Sequence, residues 1–182
     1  MAKFKVNKSE AARRQLDSAI RMLFQNEDSV AIHTLCMAAF RILRDLADKR
    51  GDILIHQITK AIVKTGMEKE FWSVLQSPAN FFKHADRDAD AILNDMDEEV
   101  NDIAMFLTCH YYQNLGYQLT PEMMVLMFWV NVMHPNYLRE DIQEVMKEEL
   151  SNARGWLVGQ SRQEQLSVCR QLLQVAQNLT KR

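Results

Sequence analysis

An imidazole, cations, carboxylates and a side-chain amide crowd into Asn80-Phe81-Phe82-Lys83-His84-Ala85-Asp86-Arg87-Asp88. An imidazole held by Asp86 or Asp88 can exchange protons near neutral pH. Lys83 and Arg87 can hold an anionic group, and Asn80 can both donate and accept a hydrogen bond. Pro78 and the loss of helical periodicity predict a loop from Ser77 to Asp90. Loops on a rigid scaffold turn several side chains toward one point. Asn80, Lys83, His84, Asp86, Arg87 and Asp88 are therefore the candidate binding residues, with His84 the candidate for acid/base work. The competing reading is structural: Phe81 and Phe82 anchor the loop in the core while the charged side chains pair among themselves.

Other chemistry finds less support. Asp86-Arg87-Asp88-Ala89-Asp90 repeats the alternation that opens a calcium loop, but the glycine needed at its sharp turn is Ala91 and the closing glutamate is Asp97. No metal and no cofactor are expected. No glycine-rich phosphate loop or serine elbow is present, so nothing supplies a nucleophile. Cys36, Cys109 and Cys169 stand singly within helical patterns and read as small core residues. His33 and His110 lie among apolar neighbours and read as hydrogen-bonded core residues, and His134 as the close of a helix.

The elements that must position these residues are helical. Ala12, Leu16, Ala19, Ile20 and Leu23 recur at three- and four-residue spacing behind Asn7 and Glu10, which have the spacing of a capping pair. A second stripe, Ile32 to Leu46, follows the cap signal Asp28-Ser29 and stops at Lys49-Arg50-Gly51. Shorter helices are predicted over Asp52 to Lys64 and Met67 to Leu75. A long one is predicted from Leu93 through Tyr111, ending at Gly116. Thr120 and Pro121 start the next. From Met123 to Val130 that helix is apolar all round, so it either runs through the core or presents a Met-rich face to a partner protein. His134-Pro135-Asn136 breaks the chain, Tyr137 to Leu150 reads as a shorter helix, and Ser161 with Glu164 caps an amphipathic final helix.

The 182 residues, 47% hydrophobic and 25% charged, can bury a substantial core, and 5 Gly with 3 Pro disfavour a many-turned β fold. The expected architecture is all-α, a bundle of seven or eight helices. Residues 1–182 form a single domain, with a possible division into a bundle over 1–116 and a C-terminal helical subdomain over 117–182. The longest apolar run, Met123 to Val130, is far short of the roughly 20 residues a membrane span needs. With no secretory leader pattern at Met1 to Lys8, a cytoplasmic location without membrane contact is the expectation. The net charge of -2 hides basic ends and an acidic stretch over 86–102, where Arg87 is the sole base.

The segments Ala11-Ala12-Arg13-Arg14-Gln15-Leu16, Ile32-His33-Thr34-Leu35 and Arg41-Ile42-Leu43-Arg44-Asp45-Leu46, and above all the string from Asn80 to Asp88, resemble a family of uncharacterised bacterial helical proteins. More distantly, Asn80 followed four residues later by His84 is similar to the RNA-cleaving helical domains called HEPN. Their motif is an arginine, a polar residue, three or more further positions and then a histidine. The arginine position is Ala79 here, so a cation for the scissile phosphate would have to come from Lys83 or Arg87. That resemblance implies a homodimer bringing two such loops together. The expected function is a helical binding or interaction module acting through Asn80 to Asp90 on RNA, a nucleotide or a protein. The alternatives are a HEPN-like or metal-dependent phosphodiester hydrolase using His84, or a protein adaptor using the helix 121–134.

Overall fold

The helical periods become seven helices among the residues that the computed structural model describes, which are 3–51, 66–84, 86, 89–94, 96–135 and 147–180. They are α1 Lys8–Phe24, α2 Ser29–Arg50, α3 Glu68–Phe81, α4 Glu99–Asn114, α5 Pro121–Met133, α6 Lys147–Leu157 and α7 Arg162–Leu179. The fold is all-α, with no strand among the described residues. No helix among them is long and apolar enough to cross a membrane.

Side chains set the helix starts. Asn7 accepts from the Glu10 amide at 2.8 Å, Asp28 from Ala31 at 2.9 Å and Thr120 from Met123 at 3.2 Å, each satisfying an amide that has no partner within its helix. Ser161 and Glu164 close a full capping box. The Asn7–Glu10 pair closes only half of one, because the Glu10 carboxylate turns to Arg13 and Arg14. Gly51 ends α2 at φ 69, a left-handed conformation that a Cβ would disfavour.

Helices α1 and α2 pack on each other, and α2 lies on α4. Helix α5 meets α1, α4, α6 and α7, so the two halves of the chain share one continuous apolar core. Polar clamps cross the same boundary. Asp17 accepts from Arg13 at 2.8 Å and from Thr120 at 2.7 Å, while Glu122 accepts from Arg21 at 2.7 Å and Gln177 at 3.0 Å. Helix α5 takes the first of its two expected roles, with Met123, Leu126, Trp129, Val130 and Val132 buried and Met124 exposed. Met127, Phe128 and Met133 are half-buried at the edge of the core.

Element boundaries differ from the sequence expectations at three places. Helix α3 does not stop at Leu75 but runs through Pro78 to Phe81, so the first part of the expected Ser77–Asp90 loop is helical. A proline inside a helix removes one hydrogen bond. Here burial of Leu75, Pro78 and Ala79 against the bundle offsets that loss. Helix α4 begins at Glu99 and not at Leu93. Leu93 and Met96 are only partly buried, and Asp97 accepts from the Glu99 amide at 2.9 Å, fixing the entry. Helix α6 continues past Leu150 to Leu157, where Leu157 is buried and Ala153 packs on the core. The helix expected over Asp52 to Lys64 and most of that expected from Tyr137 lie outside the described residues.

Candidate anion-binding site

Helix α3 docks on α2 at His33, Phe40 and Arg41. Phe82 sets its ring edge-on to the His33 imidazole, with centroids 6.0 Å apart. Trp72 meets Phe40 at 5.8 Å. Both ring pairs join α3 and its end to one side of α2. Near the exposed end of this contact, Arg41 donates from Nη2 to Asn80 Oδ1 at 2.7 Å. Asn80 is thus aimed by a helix and held by a cation from its neighbour.

Beneath this surface His33 is fully buried. Its Nδ1 lies 2.8 Å from Asn101 Oδ1, and Asn101 Nδ2 donates to the Ser29 carbonyl at 3.2 Å. With the amide oriented that way, Nδ1 carries the proton and donates. Nε2 has no hydrogen-bond partner. Burial lowers the His33 pKa, Lys83 lowers it further, and Asn101 and the nearby Leu75 carbonyl oppose the shift. The ring is a core group, tied to the end of α3 by its packing on Phe82.

Lys83 and His84 follow α3 and are exposed. Desolvation first, and then the Arg41 charge, lower the Lys83 pKa. The two cations therefore feel each other, and no ion pair involves either among the described residues. His84 Nδ1 lies 3.7 Å from Asp86 Oδ1, an ion pair only when the ring is protonated. Asp86 is 74% exposed at its side chain. Ala79, at the position where the HEPN motif has arginine, is fully buried. Arg87 and Asp88 lie outside the described residues. No family model, no curated protein and no solved structure matches this chain.

Of the expected binding residues, Asn80, Lys83, His84 and Asp86 fall in one exposed region, and the structure adds Arg41 from α2. Arg41 stands eight positions after His33, about 80° round the helix, a spacing that places a cation at the margin of an apolar stripe. That signal was available in the sequence but pointed to no partner until α3 was laid beside it. No group of His, Cys, Asp or Glu suited to a metal ion occurs among the described residues. An open groove of about 260 Å³ lies on the other side of α3, between Ser77, Pro78, Leu93, Met96 and Val100, and His84 does not line it.

Proposed function

We propose that Arg41, Asn80, Lys83 and His84 bind a small phosphorylated ligand, a nucleotide in preference to an RNA strand. The observation that carries this reading is the Arg41–Asn80 hydrogen bond, which holds Arg41 on the surface that Lys83 shares, two cations that no carboxylate pairs with among the described residues. A bound phosphate would relieve their repulsion and accept charge-assisted hydrogen bonds from both. Arg41 spends one donor on Asn80 and keeps the rest of its fork for the ligand. Asp86 and the acidic stretch after it would repel a long polyanion, which favours a ligand with one short phosphate group. The region from Asn80 to Asp90 is then a recognition surface, and Arg87 and Asp88 belong to it as the sequence expectation has them.

Titrating ADP and a short single-stranded RNA against the wild-type chain tests this. ADP binding should weaken as salt rises. Lys83→Ala and Arg41→Ala should each weaken it about tenfold, the loss of one charge-assisted contact. Equal affinity in all three proteins rejects the site, and tighter RNA than ADP binding rejects the preference.

One observation favours a hydrolase as a second reading. The cation that the HEPN-like motif lacks at Ala79 reaches the same asparagine from α2, through the Arg41–Asn80 hydrogen bond. In this reading His84 exchanges the proton and Arg41 stabilises charge on the phosphate. His84→Ala should then abolish phosphodiester cleavage while the chain stays folded, and the absence of cleavage by the wild type rejects it.

A further inference from the structure

Helix α7 is apolar along two adjacent lines, and the bundle covers only one. Leu166, Cys169 and Leu173 point inward and are buried. Val168, Leu172, Val175 and Leu179 recur at four, three and four residues, which keeps them on one face of the helix. Val168 packs against the edge of the core, while Leu172, Val175 and Leu179 are 37%, 58% and 65% exposed. Apolar side chains exposed singly need no explanation, but a continuous line of them does. Alternating steps of three and four make the seam of a two-helix coiled coil.

The margins of the line say what it fits. Between Val168 and Leu179 the outer margin carries Gln171 and Asn178 and the inner margin Ala176, while Arg170 stands on the opposite side of the helix. A seam selective for a charged partner helix carries charge at these flanking positions. Uncharged amides both donate and accept, so each can face its own copy across a two-fold axis without repulsion. We propose that α7 pairs with α7 of a second copy of this chain through Leu172, Val175 and Leu179. The seam is only about 16 Å long. The dimer is accordingly weak and forms only at high protein concentration.

Sedimentation equilibrium of the full chain up to high protein concentration reads the dimer directly. Val175→Lys sets like charges against each other at the seam and should weaken association at least about tenfold, with unchanged far-ultraviolet circular dichroism. Since Cys36, Cys109 and Cys169 are buried, Val175→Cys should give a disulfide-linked dimer with oxidised glutathione, and Gln174→Cys, on the outer side of the helix, should not. A single-chain mass throughout with no Val175→Cys cross-link overturns the proposal. So does a dimer that Val175→Lys leaves intact, or equal cross-linking from the two cysteine variants.

Discussion

His110 and His33 hold uncharged imidazoles against the interior of the bundle, and each makes stability depend on pH in the same direction. Burial brings the His110 pKa down to about 4. Its ring stands edge-on to Phe106 with centroids 4.6 Å apart. In the unfolded chain the group titrates near 6.5. A base with a lowered folded pKa favours the fold fully above the unfolded value, and that contribution is lost as the pH falls from 6.5 toward 4. His110 alone accounts for up to about 3 kcal/mol of this loss. Urea midpoints measured at pH 7.5 and 4.5 should therefore differ more for the wild type than for His110→Gln, and equal differences would contradict the assignment. His33 adds to the trend with a partial offset, since a protonated Nε2 can donate toward the Leu75 carbonyl. Buried histidines were legible as such in the sequence because apolar residues flank them at helical spacing. Their partners were not, because Asn101 lies on another helix.

Single side chains also hold whole elements together, and the ties between helices were the least legible part. Asp102 on α4 receives both guanidinium nitrogens of Arg162, at 2.7 and 2.8 Å, and Arg162 also stacks over Trp129 of α5 at 5.5 Å. Arg162→Ala leaves Asp102 buried without its partner and should cost about 3–5 kcal/mol. Arg162→Ala combined with Asp102→Leu should recover much of that loss in thermal unfolding. If the double variant is no better than the single, the cost lies in lost packing on Trp129. Removing the cap with Ser161→Ala should cost about 1 kcal/mol, read as a lower Tm without a change in helix content. Caps at Asp28, Thr120 and Ser161 and the stop at Gly51 were readable because they depend on neighbours in sequence. The course of α3 was not. Pro78 marks a break by local rules, and only the burial of Leu75 and Ala79 beneath the bundle explains why the helix continues.

At the scale of the molecule, the all-α architecture was legible from periodicity alone, while the surfaces that act outward required the packing. Helix α5 read as a core helix with a partner-facing role as the alternative, and its contacts with α1, α4, α6 and α7 bury Met123, Leu126, Trp129, Val130 and Val132. The apolar seam left outside lies instead on α7, and the cationic ledge at the contact of α2 with α3. These two surfaces make separate claims, so a seam variant such as Val175→Lys should bind ADP as the wild type does. The most direct measurement of the central claim is a titration of inorganic pyrophosphate into isotope-labelled protein, followed by nuclear magnetic resonance at fixed ionic strength. Saturable shifts should gather on Arg41, Asn80, Lys83 and His84 and need about tenfold more pyrophosphate to saturate in Lys83→Ala. Shifts scattered over the basic residues of α1 and α7, or none that saturate, would contradict it.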